Sequence, residues 1–262
     1  MSQRLPSRNL ARLIEANAPL WAGEAEVFRV YWDSPVRTRA TDRLWLLRQA
    51  YKEYWDGFVP HLAAVERLTG DAQTRDLRRN VLRMVEVAAE EYAHFCLFAD
   101  LWQALGAAGE SLSVEWLRQV GDWEENGALM TLRQAHKRRH GELGTRAHRF
   151  TEGGYCTLYR AGMTLLGRGG IDDSIAEVCA AVYEEEFDHM LMGIADLDGM
   201  DIRDDDWRLL QRLSTEQMRY RIRMRNAQFS YPLPETRIRE LCRGAAAPLA
   251  FDYRRAGFSA AA

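Results

Sequence analysis

Proline placement sets the first limit on the fold. All seven prolines lie either within the first sixty residues or between Pro232 and Pro248, so residues 61–231 carry none. Proline removes a backbone donor and clashes with the preceding turn, so long packed helices exclude it from their interiors. The same stretch shows no Asn-Gly hairpin signal and no sustained alternation of β-branched residues. Apolar residues recur instead at helical spacing. The expected class is all-α. With 262 residues, 47% of them hydrophobic, the chain suffices for one large domain, and two small ones are not required. No linker is evident, so residues 1–262 read as a single domain.

Start and stop signals bracket the helices. A first helix is expected over residues 9–31, open to a break at Pro19. Thr41-Asp42 reads as an N-cap for a helix over 41–68, kinked at Pro60 and stopped by Gly70. The next begins within 71–74 and ends at Leu105 before Gly106. Ser111 or Ser113 opens a segment that Gly121, Gly127, Gly141 and Gly144 weaken. A helix over 145–166 meets a strong break at Gly167-Arg168-Gly169-Gly170. Asp172-Asp173-Ser174 caps one over 172–197, another spans 204–227, and the tail after Tyr231 reads as an extension. A four-helix bundle is thereby expected over 41–197, with flanking helices 9–31 and 204–227.

Charge and cysteine usage narrow the function classes. The net charge is −3, which does not suggest nucleic acid as a partner. Two basic clusters, Lys137-Arg138-Arg139-His140 and Arg219, Arg221, Arg223, Arg225, read as solvated helix faces. Cys96, Cys156, Cys179 and Cys242 form no CxxC and read as buried thiols of a reducing cytosol. The N-terminal segment lacks the apolar core of a signal peptide, and no run of eighteen apolar residues exists. A cytoplasmic protein without a membrane partner is expected; a homodimer stays open.

The most informative feature is an internal echo. Residues 90–94 read EEYAH and residues 185–189 read EEFDH, 95 positions apart and each within a long helix. Glu91 and His94 stand at i and i+3, as do Glu186 and His189. Residues three apart share a helix face, so each pair can reach one metal ion. A carboxylate with an imidazole suits iron or manganese, and also zinc. A lone ExxH is usually a surface ion pair; its repetition, using two of only six histidines, points to a shared task.

Symmetry about the two turns locates further acids. In an antiparallel helix pair, residues equally far from the turn stand level, each adding about 1.5 Å of rise. With the first turn centred near residue 72, Glu91 lies 19 after it and Glu53 19 before it. With the second centred near residue 169, Glu186 lies 17 after it and Glu152 17 before it. Glu66 and Glu142 fit less well, and Asp56 stays open as a substitute for Glu53. Gly153-Gly154, directly after Glu152, weakens the helix and hints at space beside the metals.

This set, Glu53, Glu91-x-x-His94, Glu152 and Glu186-x-x-His189, resembles the ligand set of the ferritin-like di-iron carboxylate superfamily, over about residues 41–197. The resemblance implies a ferritin-like four-helix bundle holding two irons, with manganese or a mixed pair open. It also implies that an acid just before each ExxH glutamate, Glu90 and Glu185, hydrogen-bonds a metal-bound histidine and fixes its tautomer. It further suggests an oxygenase or oxidase that activates O2 on a small organic substrate.

Two other readings compete: a ferroxidase or iron-handling protein, and a non-enzymatic helical protein with a structural polar core. Chain length beyond the bundle favours the enzyme, since extra helices could build a pocket. Gly153, Cys156 and Tyr183 are the candidate pocket residues. Tyr51, Tyr54, Tyr92, Tyr155 and Tyr159 also lie within about a turn of proposed ligands and read first as core. Electrons would come from an external donor, because no paired CxxC offers a rubredoxin-like centre.

Overall fold

A computed structural model describes residues 5–70, 74–152, 154–198, 203–256 and 258, apart from the side chains of residues 192, 193, 195 and 196. Every regular element among them is helical: α1 (Arg8–Trp32), α2 (Arg39–Tyr51), a π-helical segment (Lys52–Phe58), α3 (Val59–Gly70), α4 (Arg75–Ala104), α5 (Val114–Val120), α6 (Glu124–His140), α7 (Glu142–Glu152), a short 3-10 turn (Gly154–Cys156), α8 (Thr157–Met163), α9 (Ile171–Asp198), α10 (Asp204–Gln228) and α11 (Glu235–Cys242). The all-α expectation therefore stands. The helices form two compact units, one of Met1–Val36 with Glu124–Ala262, the other of Arg37–Trp123.

In the unit of Arg37–Trp123, α2, the π-helical segment and α3 form one helical run that packs along α4. The run opens on a capping box: Thr38 accepts from the Thr41 amide, and Thr41 accepts from the Thr38 amide. The cap is thus Thr38, not Thr41-Asp42. Asp42 instead takes the Trp45 indole at 2.9 Å and the Arg37 guanidinium at 3.2 Å. Thr74 caps α4 and Ser113 caps α5, each accepting an amide three residues on. Part of the expected turn, residues 71–73, lies outside the described residues.

Pro60 does not simply kink its helix. A proline there cannot donate to the Asp56 carbonyl, and its ring crowds that turn. The backbone widens upstream, and the Val59 amide reaches the Tyr54 carbonyl five residues back. Such π turns inside α-helices are uncommon and gather at functional sites.

In the other unit, α1 packs on α10 and runs unbroken through Pro19. α8 packs on α9, and α6 and α7 pack on α10. The second basic cluster is a solvated face only at Arg219 and Arg223. Arg221 and Arg225, one helical turn apart, are buried against the fully buried Glu24, with Nε to Oε1 distances of 2.7 and 3.2 Å. Arg219 donates to the Cys242 carbonyl and Arg223 to Glu235. The segment expected as tail contains α11. Three of the four cysteines are buried as expected, while Cys96 is half-buried.

The helix expected over 145–166 is interrupted. α7 stops at Glu152, and Gly154, Tyr155 and Cys156 all adopt left-handed backbone, with φ of 50°, 58° and 52°. Arg221 and Glu24 border the break. Arg221 Nη1 donates to the Glu152 carbonyl at 2.5 Å. A side chain at Gly154 would come within 2.5 Å of Arg221 Nε and closer still to Glu24 Oε2. Two non-glycine residues in left-handed backbone cost on the order of 1 kcal/mol or more each, and the surrounding packing holds them there. Among the described residues no helix is long and apolar enough to cross a membrane.

Candidate metal centre

Glu53 sits in the π-helical segment, and Glu91 and His94 sit one turn apart on α4. All three belong to the unit of Arg37–Trp123 and are buried, at 5%, 7% and 1% exposure. Their neighbours explain why the chain accepts polar groups there. The Gln49 side-chain amide, one turn before Glu53, donates to Glu53 Oε1 at 2.5 Å. The other oxygen, Oε2, lies 4.0 Å from His94 Nδ1. On the same two elements, the Tyr54 ring meets Phe95 at 5.0 Å and Phe58 at 5.4 Å between centroids.

Glu53, Glu91 and His94 each offer one ligand atom, and these atoms all lie within 4.8 Å of one another. Two carboxylates crowded at that separation, largely out of water, repel each other and have lost hydration. A bound cation removes both penalties. Hard carboxylate oxygens joined by an imidazole suit a divalent ion such as iron, manganese or zinc. The donor chemistry therefore fits a metal ion and leaves its identity open.

The three remaining sequence-predicted ligands, Glu152, Glu186 and His189, belong to the other unit. Glu186, on α9, is 9% exposed. His189, one turn on, is half-buried. Glu152 departs from expectation: it ends α7 with a side chain 48% exposed, its Oε1 3.4 Å from His148 Nε2. The interrupted helix explains this, because the mirror argument assumed unbroken rise from the turn. Asp56, the substitute for Glu53, forms an ion pair with Lys52 at 3.3 Å. Of the two acids preceding the motif glutamates, Glu90 is half-buried and Glu185 exposed.

Of the candidate pocket residues, Gly153 lies outside the described residues. Cys156 is buried at 1%, and loss of water, followed by the charge of Glu186, pushes its thiol well above the usual range. Tyr183 is half-buried with the Arg255 guanidinium over its ring at 4.9 Å, and burial raises its phenol too. A high thiol pKa makes Cys156 a poor nucleophile.

Two residues that sequence reading missed shape the centre. Gln49 orients the Glu53 carboxylate; its signal was an amide one helical turn before an acid. Gly57 is the other. A Cβ at Gly57 would fall 2.9 Å from Glu91 Cδ and nearer still to Oε2. Its signal was an isolated glycine inside a helical pattern.

Compared with protein-family models, with curated proteins and with solved structures, the chain finds no match in any of the three.

Proposed function

We propose that this chain is a non-heme iron oxidase or monooxygenase that uses O2 on a small organic substrate. In this reading Glu53, Glu91 and His94 hold one metal ion within a ferritin-like helical bundle. The observation that carries it is the buried convergence of two carboxylates and one imidazole from neighbouring helical segments. Iron bound in such a set supplies the electrons for O2 reduction, which no amino-acid side chain of this group can. The chain's own part is to bind the ion and to orient the Glu53 carboxylate through Gln49. In the same reading the doubled motif gives Glu186 and His189 to a second iron, with manganese able to replace either ion. A cytoplasmic location and an external electron donor belong to the same reading.

Catalysis is favoured over iron storage because the residues beyond 41–197 include two long helices, α1 and α10, that a storage bundle does not need. The test is anaerobic loading of the full chain with Fe2+, followed by O2 uptake at an electrode with and without a chemical reductant. Sustained uptake that continues with reductant and disappears in His94→Ala supports the proposal. Uptake that stops once the iron is oxidised, with mineral left in solution, identifies an iron-handling protein. Uptake no faster than that of free Fe2+ rejects both.

A further inference from the structure

The geometry points to Gly57 as the residue that sets where the Glu91 carboxylate stands, and thereby as a positioning residue for the metal centre; this rests on the metal reading above. Gly57 lies in the π-helical segment between Glu53 and Pro60, and is itself buried. The Glu91 carboxylate lies against the face of Gly57 that any other residue would fill: a Cβ there would fall 2.9 Å from Glu91 Cδ. The backbone at this point is also held in place. His61 Nδ1 lies 2.8 Å from the Gly57 carbonyl, one turn on. The π-helical backbone cannot simply retreat without disturbing that contact and the widened turn behind Pro60.

What must give way is the far end of Glu91. A glutamate carboxylate swings with little effect on the fold, since its χ angles have alternative staggered wells. Metal binding bears the consequence, because Glu91 would leave the 4.8 Å set that it forms with Glu53 and His94. Gly57→Ala should therefore separate stability from metal binding. In a helical stretch, replacing glycine by alanine ordinarily stabilises by narrowing the unfolded ensemble. The metal-free protein should keep or gain thermal stability, while the affinity for metal falls.

The experiment uses the full chain and Mn2+ as a redox-quiet probe, read by calorimetric titration and by the electron paramagnetic resonance of bound Mn2+. Four proteins are compared: wild type, Gly57→Ala, Glu91→Asp, and the double variant. Aspartate is one methylene shorter and withdraws the carboxylate from the new Cβ. The expected result is at least tenfold weaker Mn2+ binding when Gly57→Ala is made in the wild type, and a much smaller loss when it is added to Glu91→Asp. If Gly57→Ala fails to fold but the double variant folds, the clash with Glu91 is confirmed. If both fail to fold, or if Gly57→Ala binds Mn2+ as tightly as wild type, the inference is overturned while the metal reading stands. If wild type itself binds no Mn2+, the metal reading falls and this inference with it.

Discussion

At the level of single residues, the buried Glu24–Arg221–Arg225 cluster is the feature most open to measurement. Two guanidinium groups share one carboxylate oxygen out of water, and loss of hydration pulls Arg225 below the usual arginine range. Removing one member leaves a buried charge without compensation, which costs about 3–5 kcal/mol. Glu24→Ala should therefore lower unfolding free energy by that order in urea denaturation, whereas Gly154→Ala, which adds a side chain against the same cluster at φ 50°, should cost about 1–3 kcal/mol. An effect below about 0.5 kcal/mol in both would show that the cluster does not hold the chain break.

His136 gives a pH signature at the same scale. Its Nδ1 lies 3.1 Å from the Gln217 amide nitrogen, and its Nε2 lies 3.3 Å from Glu216. Burial lowers its pKa below 6.5, and His140 adds to that, against the opposing pull of Glu216. A base whose folded pKa is depressed is neutral in the fold but takes a proton when unfolded. Its contribution to stability is thus complete above about pH 6.5 and is lost as pH falls from there through the folded value. In metal-free protein, His136→Gln should flatten that slope relative to wild type; an unchanged slope would refute the assignment. The grouping of Glu53, Glu91 and His94 was legible from spacing alone, because residues three apart share a helix face and residues equally far from a turn stand level. Gln49 and Gly57 were not, because their roles depend on which atoms another segment brings against them.

At the level of elements, the π-helical segment links a proline to the metal group. Pro60 forces the wider turn, and that turn carries both Glu53 and Gly57. Pro60→Ala supplies the missing donor and lets the segment return to α-helical pitch, which rotates Glu53 relative to α4. Metal-free stability should rise, by about 1–3 kcal/mol on helix propensity, while Mn2+ affinity falls about tenfold, a loss of roughly 1.4 kcal/mol in binding. Unchanged affinity with raised stability would show that the π turn is irrelevant to the centre. Helix existence was well marked in the sequence: Thr74, Ser113 and the glycines after Leu166 gave ends close to those observed. The interruption after Glu152 was signalled only by Gly153-Gly154, which did not show its extent. Beside Gly154 the left-handed stretch holds Tyr155 and Cys156, residues that local propensity would not place there. Glu24 and Arg221, both remote in sequence, border that stretch. Glu53 therefore stands level with Glu91 as equal spacing from the turn requires, whereas the break takes Glu152 out of that register.

At the level of the whole molecule, helical class was readable because prolines were confined to the two ends and periodicity held between them. The division into units of Met1–Val36 with Glu124–Ala262 and of Arg37–Trp123 was not, since no Pro- or Gly-rich linker marks either crossing. A chain that binds metal only when folded gains stability by mass action, about 2.7 kcal/mol at a hundredfold excess over Kd. The most direct measurement is therefore metal content joined to melting temperature: the full chain is loaded anaerobically with Fe2+, dialysed, analysed for iron, and melted beside its chelated form. The account predicts at least one iron per chain, a Tm raised by several degrees, and loss of both in Glu91→Ala and His94→Ala. Iron far below one per chain, or the same iron content and Tm shift in those variants, would contradict it.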